Sequence, residues 1–294
     1  MSFNDKYVKY KELVQKELSS VENIILGVVS PREELRQSLV SFLISPSKRL
    51  RPVLSLLYLK ALNKEITPQV LKLLAAIEIV HNASLIHDDI IDESDYRRGN
   101  ETIAHRFGAK LGVITGDYLL SLAMGMISEL GSINILSDFS NTLRQMCIGE
   151  INQNFDLFKI GTIDEYVEKS KNKTAYLFRT AIVCPLLLLA VPESVIDLAS
   201  DFALNFGISF QIRDDLINLS ESDVSKPHGN DIAEGIYNAP VIYSGGADDL
   251  SSGIEKTHSL LNNYLEKALL SLSSLDDNNY RTSLIELTEL LKDE

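Results

Sequence analysis

The sequence predicts an all-α protein. Apolar residues recur at spacings of three and four along almost the whole 294-residue chain. The alternating runs that indicate strands are nearly absent, and only 15 Gly and 8 Pro interrupt the pattern. With 45% hydrophobic residues the chain can bury a sizeable core. Since no Gly/Ser-rich linker or repeat divides the chain, we expect a single domain over residues 1–294, a bundle of about ten or more helices.

The helices are expected in the following order. An amphipathic first helix places Leu13, Val21 and Ile25 on one face. A second helix begins at Ser30-Pro31, because Ser caps helices and Pro suits their first position. Further helices are predicted over residues 53–62, 68–92, 102–130, 134–158, 163–189, 193–219, 254–272 and 279–291. Two polar stretches, 94–102 and 220–238, are predicted to be functional loops.

Charge and cysteine content exclude several classes of function. The formal net charge of −13 argues against a nucleic-acid or anionic-membrane surface. Cys147 and Cys184 lie in apolar runs without ligand spacing, which disfavours a zinc site or a disulfide and fits a reducing cytoplasmic compartment. The longest apolar run, 181–191, is too short to cross a bilayer and contains Pro185, so no membrane span is expected.

The predicted helix that ends near residue 92 is apolar almost all round but carries a polar stripe. The stripe residues step by three or four and therefore share one face. They are Glu78, His81, Ser84, Asp88 and Asp92. Since a buried polar side chain costs several kcal/mol unless it is satisfied, water, a metal or a ligand is expected against this face.

Two acidic clusters end two of the predicted helices. The first acidic cluster is Asp88, Asp89 and Asp92, which alone is also explained by a solvated helix end. The second acidic cluster is Asp214, Asp215 and Asn218. Carboxylate oxygens in such a pattern are suited to Mg²⁺. The pair of clusters therefore predicts a shared multi-metal site.

Basic residues lie in two groups near the first acidic cluster along the chain. Lys48, Arg49 and Arg51 form one group, and Arg97 and Arg98 form the other. Arg binds phosphate oxygens in bidentate fashion and Lys adds a point charge. Arg49, taken singly, is better explained as a solvated surface residue. Together with the acidic clusters, these residues describe a diphosphate site.

Over nearly its whole length the chain resembles the trans-isoprenyl diphosphate synthases, also called polyprenyl synthetases. The matching motifs occur in the family's order. They are SKRLRP at 47–52, HDDIID at 87–92, RRG at 97–99, GD at 116–117, KTA at 173–175, FQIRDD at 210–215, KP at 226–227 and GND at 229–231. The resemblance implies the isoprenoid synthase fold, in which helices surround a deep central cavity, and it implies a dimer.

The resemblance also implies roles for individual residues. Asp88, Asp92 and Asp214 would hold Mg²⁺, with three ions when substrate is bound, and Asp89, Asp215 and Lys173 would complete the catalytic group. Contacts to isopentenyl diphosphate fall on Lys48, Arg51, His81 and Arg98. Contacts to the allylic diphosphate fall on Arg97, Lys173, Thr174, Gln211 and Lys226. His81 and Thr174 are also explained as satisfied polar residues of the core.

The implied reaction is a head-to-tail prenyl transfer. The allylic C–O bond breaks, the double bond of isopentenyl diphosphate attacks the allylic cation, and loss of a proton completes a five-carbon extension. Metal ions and cationic side chains neutralise the departing diphosphate, which by resemblance is the base. No side-chain nucleophile is required, so the lack of a Ser/His/Asp or Cys/His arrangement is no objection.

Two small residues predict a long product. Ala83 and Ser84 lie about one helical turn below the first acidic cluster, and each turn advances about 5.4 Å, close to one isoprene unit. Large aromatic residues there would stop growth early. Val80, Ile77, Ala76, Ala123, Met124 and Met126 are candidates for the next layers. This pattern resembles the long-chain members that make all-trans polyprenyl diphosphates, and a farnesyl or geranylgeranyl diphosphate synthase is the alternative.

Four departures from the family pattern leave other possibilities open. Pro46-Ser47 stands where two glycines are usual, and Asn218 stands where an Asp is usual. Segment 235–240 lacks the family's Lys and Thr, and the stretch 243–254 is short. Besides a homodimer, these features fit the catalytic subunit, or a non-catalytic or weakly active subunit, of a heteromeric synthase. The retained Asp88, Asp92, Asp214 and Lys48 argue against an inert subunit. A terpene cyclase or head-to-head enzyme is disfavoured, because a cyclase needs no second diphosphate site.

Overall fold

The computed structural model describes residues 3–27, 32–45, 47–219 and 231–292, and within these ranges it is almost entirely helical. The helices of the first half are α1 (Phe3–Glu12), α2 (Gln15–Gly27), α3 (Glu33–Ile44), α4 (Leu50–Ala61), α5 (Pro68–Ile91), α6 (Ile103–Phe107) and α7 (Ala109–Ser128). An antiparallel hairpin of two short strands, β1 (Tyr96–Arg97) and β2 (Asn100–Glu101), follows α5. The first half thus consists of helices with one small hairpin.

The second half continues the bundle. Its helices are α8 (Ile133–Phe155), α9 (Ile163–Ser170), α10 (Tyr176–Leu188), α11 (Glu193–Leu219), α12 (Ala239–Ser244), α13 (Ser251–Ser271) and α14 (Asn279–Glu289). A π-helix (Lys171–Ala175) joins α9 to α10, and 3₁₀ turns follow α13 and α14. The all-α prediction is confirmed.

Most helix boundaries fall within a few residues of their predicted positions, but four expectations need correction. The predicted first helix corresponds to α2, and the separate helix α1 before it was not predicted. The helix expected over 102–130 breaks at Gly108, whose φ of 87° is one that glycine adopts readily. The helix expected over 163–189 contains the π-helix, and α12 was not predicted. The predicted start at Ser30-Pro31 lies outside the described residues.

Helix α5 is the central element of the fold. Thr67 caps its first turn by accepting a hydrogen bond from the Val70 N–H at 3.3 Å, and Pro68 occupies the first helical position. Its apolar side chains pack against α7, α2 and α10. At the C-terminal end of α5, Asp89 is buried and Asp88 is half-buried, whereas Asp92 is exposed. The predicted central cavity stays a prediction.

Two helices, α5 and α7, are long and apolar enough by composition to cross a membrane. The most apolar window of α5 is 67% buried, as expected of a core helix, whereas that of α7 is 33% buried. Exposed apolar residues on α7 include Val113 and Ile114. The composition of α5 is therefore explained by packing, and α7 keeps a partly exposed apolar face.

Candidate active site

The first acidic cluster lies at the C-terminal end of α5 and is held by basic side chains. Asp89 is buried and forms an ion pair with Arg97 of strand β1. Burial raises the pKa of Asp88 to about 6, with the negative charges of Glu150 and Asp92 adding to the effect. Burial likewise raises the pKa of Asp92. Three carboxylates thus lie close together in a partly dehydrated setting, which favours a bound cation.

Lys173 is brought to this cluster by the π-helix. Its ammonium lies 2.7 Å from the Glu150 carboxylate of α8. Burial lowers the pKa of Lys173, but the ion pair with Glu150 outweighs burial and raises it. Asp88 and Asp92 raise it further. The predicted site residue Lys173 is therefore a charged neighbour of the first acidic cluster.

Two glycines allow the neighbouring helices to approach the π-helix closely. A Cβ added to Gly149 of α8 would lie 2.9 Å from the Lys173 backbone nitrogen. A Cβ added to Gly207 of α11 would lie 2.5 Å from Ala175 Cα. π-Helical turns are rare and often occur at functional sites. Close packing from both sides fixes the turn that carries Lys173 and Thr174.

The second acidic cluster divides into a buried and an exposed carboxylate. Asp215 is buried and accepts hydrogen bonds from the Tyr166 hydroxyl at 2.6 Å and the Gln211 amide at 2.8 Å. Burial raises the pKa of Asp215 to about 7. Asp214 is exposed, and its negative charge acts on Lys48. Asp214 is thus placed to bind a ligand, and Asp215 is placed to fix the helix end.

Gln211 and Thr174, both predicted to contact the allylic diphosphate, hydrogen-bond to each other. The Thr174 hydroxyl donates to Gln211 Oε1 at 2.6 Å. The Gln211 amide nitrogen donates in turn to Asp215. A chain of hydrogen bonds therefore links the π-helix to the second acidic cluster.

Asp231 connects the two clusters. Its negative charge raises the pKa of both Asp92 and Asp215. Its carboxylate accepts hydrogen bonds from Asn238 at 2.7 Å and from Asn218 at 3.5 Å. Asp231 is therefore close to both acidic clusters, and we call the space between the two clusters the gap.

The arrangement fits Mg²⁺ held jointly by protein and substrate. Within the described ranges, no group of three His, Cys, Asp or Glu side chains is close enough to hold an ion by itself. Mg²⁺ in phosphate-transfer sites usually takes one or two carboxylates and completes its shell with water and substrate phosphates. Pairs of carboxylates on opposite sides of a gap match that donor set.

The predicted isopentenyl diphosphate residues include a basic group, which we define as Arg51, His81 and Arg98. Burial lowers the pKa of His81, and the positive charges of Arg51 and Arg98 lower it further, so these three residues are neighbours. Burial lowers the pKa of Arg51 to about 10, and its guanidinium lies 4.5 Å from the centre of the Phe178 ring. Two guanidinium groups beside a neutral imidazole are suited to binding an anion.

Arg49 is not a solvated surface residue, and that expectation was wrong. Its side chain is 4% exposed and lies 3.0 Å from the carboxylate of buried Glu78 and 3.5 Å from Glu22. Its backbone has a φ of 49° just before α4. Water, a metal or a ligand was expected to satisfy the polar stripe. At Glu78 that partner is the Arg49 side chain, as expected because buried charges are usually paired.

Lys48, also predicted to contact isopentenyl diphosphate, lies beside the N-terminal helix. Its ammonium lies 4.7 Å from the centre of the Phe3 ring, and Arg213 approaches the same ring at 4.6 Å. The Tyr7 hydroxyl donates to the Lys48 carbonyl at 2.7 Å. Helix α1 therefore packs against two cations near Asp214, which sequence reasoning did not predict.

The Gly116-Asp117 motif is explained by close packing. A Cβ on Gly116 of α7 would stand 2.1 Å from His87 Nε2 of α5. His87 Nε2 also lies 3.5 Å from the Asp117 carboxylate. Gly116 thus permits α7 to approach α5 directly beside the first acidic cluster.

Several neighbours of the site were missed from the sequence, and one predicted residue cannot be placed. Glu150, Tyr166 and Lys169 belong to no motif, and only the fold brings them to the clusters. Asp231 lies in the GND motif, which could have identified it. Lys226 lies outside the described residues.

Comparison with known proteins gives consistent results. Residues 32–267 match the family model described as polyprenyl synthetase. Solanesyl diphosphate synthase 1, chloroplastic, from Arabidopsis thaliana is 34% identical over 79% of this chain, which spans 60% of the length of that enzyme. Heptaprenyl diphosphate synthase component 2 from Geobacillus stearothermophilus is 29% identical over 90% of this chain and 92% of its own.

A solved structure agrees with these sequence relationships. Decaprenyl diphosphate synthase from Rhodobacter capsulatus superposes with a TM-score of 0.87 at 25% identity, covering 98% of each chain. The expected isoprenoid synthase fold is thereby confirmed. Because the family model covers most of the chain and the structural match covers nearly all of it, this protein belongs to the polyprenyl synthetase family.

Proposed function

We propose that the protein is a Mg²⁺-dependent prenyltransferase that condenses isopentenyl diphosphate with an allylic diphosphate. The main support is that α5 carries two sites of opposite charge. The first acidic cluster lies at its end, and His81 of the basic group lies seven residues earlier. At 1.5 Å per residue that separation is about 10 Å along the helix. Two diphosphates bound there would be neighbours without competing for one site.

Each group of residues has a distinct role in this proposal. Asp88, Asp92 and Asp214 hold Mg²⁺, and Lys173 and Arg97 bind the allylic diphosphate from the same side. Arg51, His81 and Arg98, with Lys48, hold isopentenyl diphosphate with its double bond towards the allylic carbon. Bound Mg²⁺ supplies positive charge that makes diphosphate a better leaving group.

Some predicted contacts take an indirect form. Asp89 is paired with Arg97, and Asp215 is bonded to Tyr166 and Gln211. Thr174 donates to Gln211. We propose that Asp89, Asp215, Thr174 and Gln211 position the ligand-binding side chains, and that positioning accounts for much of the rate. Lys226 is proposed by resemblance alone.

The proposed product is a long-chain all-trans polyprenyl diphosphate. Ala83 is fully buried one turn below the first acidic cluster, and Ser84 donates its hydroxyl to the His81 carbonyl at 2.9 Å. Ile77 and Val80 of α5 and Ala123 of α7 are also buried. None of these residues is a large aromatic that would stop chain growth early, in keeping with the long-chain names of the relatives.

The test is to incubate the protein with farnesyl diphosphate, isopentenyl diphosphate and Mg²⁺ and to size the products. We expect products longer than geranylgeranyl diphosphate. Growth that stops at the farnesyl or geranylgeranyl stage would favour the shorter-chain alternative.

Ala83→Phe and Ser84→Phe should shorten the product, and an unchanged length would contradict the role of these positions.

We also propose that the chain forms a homodimer through α7 and α8. Large apolar side chains are exposed on both helices: Val113 and Ile114 on α7, and Ile151 and Phe155 on α8. Large apolar side chains that are exposed on neighbouring helices often mark an interface. The Geobacillus relative is named as component 2, so a second, different subunit is the alternative. The mass in solution of the purified 32.8 kDa chain separates a dimer from a monomer awaiting a partner.

Two further proposals concern organisation and location. One hydrophobic core runs from Phe3 and Tyr7 to Leu291, which supports a single domain. Cys147 and Cys184 are both free thiols, which supports a reducing compartment such as the cytoplasm. Limited proteolysis that yields one stable core, and fractionation of the native host cell, would check these two proposals.

A further inference from the structure

Lys169 is a basic side chain at the centre of the site that no sequence motif identifies. It lies near the end of α9, one turn before Lys173, and is half-buried. Its ammonium donates to Asn238 Oδ1 at 3.1 Å and lies 5.7 Å from the centre of the Tyr166 ring. Asn238 and Tyr166 in turn donate to Asp231 and Asp215. Lys169 therefore belongs to the network that holds the second acidic cluster.

The charges around Lys169 mirror those around Lys173. Lys173 faces Asp88 and Asp92 of the first acidic cluster. Lys169 faces Asp215 and Asp231 on the other side of the gap. Successive turns of the α9–π-helix segment thus bring one lysine to each acidic side of the proposed diphosphate site.

A partly buried ammonium is costly unless anions or hydrogen-bond acceptors compensate for lost water. Burial lowers the pKa of Lys169, and Asp215 and Asp231 oppose that effect. The bond to Asn238 is to a neutral amide, whereas an ammonium has three N–H donors. A polyanion in the gap would be a stronger acceptor for those donors than an amide.

The neighbouring segment gives a reason for a lysine at this place. Residues 235–240 contain no lysine or arginine. Asn238 lies in this segment and is the residue that Lys169 contacts. A lysine from α9 therefore supplies positive charge to the same part of the site.

We propose that Lys169 binds the diphosphate of the allylic substrate beside the second acidic cluster. This inference rests on the proposed function and adds a substrate-binding residue to it. The two lysines, one turn apart, contact the diphosphate together, Lys173 towards Asp88 and Asp92, and Lys169 towards Asp215 and Asp231. Isopentenyl diphosphate, bound at the basic group, is not contacted by Lys169.

The experiment measures binding without turnover. Farnesyl thiolodiphosphate, an unreactive analogue of the allylic substrate, is titrated calorimetrically with Mg²⁺ into the wild type and the variants Lys169→Gln, Lys169→Arg and Lys171→Gln. Lys171 is the matched control, because it lies on the same segment and pairs with Glu168 at the surface. The KM for isopentenyl diphosphate and the thermal midpoint are measured in parallel.

We expect Lys169→Gln to weaken binding of the analogue about tenfold or more, as loss of one charge-assisted hydrogen bond implies. Lys169→Arg should retain most of the affinity, and Lys171→Gln should match the wild type. The KM for isopentenyl diphosphate should change little in all three variants. A purely structural role for Lys169 would instead weaken both substrates together and lower the thermal midpoint.

Two outcomes would overturn the inference in distinguishable ways. If the wild type binds the analogue and Lys169→Gln binds it equally well, Lys169 is not a substrate ligand, and the proposed function stands. If the wild type does not bind the analogue in the presence of Mg²⁺, the proposed function fails and the inference fails with it.

Discussion

The two acidic clusters end two long helices, but the protein holds their supporting carboxylates by different means. In the first cluster, Asp89 is paired with the cation Arg97. In the second, Asp215 accepts hydrogen bonds from the neutral groups of Tyr166 and Gln211. The first cluster is therefore stabilised chiefly by charge, and the second by hydrogen-bond geometry.

This difference separates two requirements of a site for polyanions. Metal ligands must stay ionised and accessible, which suits the exposed Asp92 and Asp214. Supporting carboxylates must fix the helix ends, and they can be buried if their oxygens are satisfied. Variants that act on charge, on packing and on protonation should therefore affect the two clusters differently.

The largest effect on kcat is expected from the proposed metal ligands, which both clusters contain. Asp88→Asn and Asp214→Asn should each reduce kcat by about 10³-fold or more, because each removes a charge needed to neutralise the leaving group. Asp156→Asn, which changes an exposed carboxylate at the end of α8, should leave kcat unchanged. Steady-state kinetics at saturating Mg²⁺ checks this expectation. Equal activity of Asp214→Asn and the control would remove the second cluster from the metal site.

The free energy of unfolding should show the difference between an ion pair at Asp89 and a neutral hydrogen bond at Asp215. Arg97→Met leaves Asp89 buried without its cation and should cost about 3 kcal/mol of unfolding free energy. Tyr166→Phe removes one hydrogen bond to Asp215 and should cost about 1 kcal/mol. Arg36→Met, which breaks an exposed pair with Glu33, should cost less than about 0.5 kcal/mol. Urea denaturation measures all three, and equal costs for Arg97→Met and Tyr166→Phe would contradict the comparison.

Tight packing around the π-helix should affect both stability and kcat. Gly207→Ala would place a methyl group 2.5 Å from Ala175 Cα and 3.2 Å from the Phe178 ring. We expect a loss of about 2 kcal/mol in stability and a lower kcat, because the turn that carries Lys173 is displaced. Gly125→Ala on α7 meets no atom within 4 Å and should gain up to about 1 kcal/mol. Thermal unfolding together with kinetics would show whether both consequences occur in the same variant.

Periodicity and capping were enough to predict most of the helices. The segment that forms α5 is long, apolar and preceded by Thr67-Pro68, so its helical structure and its boundaries could both be predicted. The break at Gly108 and the π-helix could not be predicted from the sequence. Each depends on how neighbouring helices pack, as with the approach of Gly149 and Gly207, and local propensity contains no such information.

The candidate site was predictable where residues lie in one motif and unpredictable where the fold supplies partners. Motifs led to Asp88, Asp92, Arg51 and Arg98, and the fold brings Asp88 near Asp92 and both arginines near His81. Arg49 was misjudged because its partner, Glu78, is 29 residues away on another helix. Glu150 and Lys169 could not be found, since only the packing of α8 and α9 brings them to the clusters.

A dependence of stability on pH should separate Asp215 from Asp89. Burial raises the pKa of Asp215 from 3.8 to about 7 in the folded protein without metal. Between these values the folded state retains a proton that the unfolded state has lost, so stability falls as pH rises through this window. Asp215→Asn removes this dependence. Thermal midpoints are measured in EDTA from pH 5 to 8. The midpoint of Asp215→Asn minus that of the wild type should therefore increase as the pH rises.

Asp89→Asn is the matched comparison for that measurement. Burial raises the pKa of Asp89 as well, but the charge and hydrogen bond of Arg97 oppose the effect. Asp215 is opposed chiefly by neutral donors, with Lys169 a minor contributor. The midpoint of Asp89→Asn should therefore change less with pH, relative to the wild type, than that of Asp215→Asn. Parallel pH profiles for the two variants would mean that a neutral hydrogen bond and an ion pair stabilise these buried carboxylates equally.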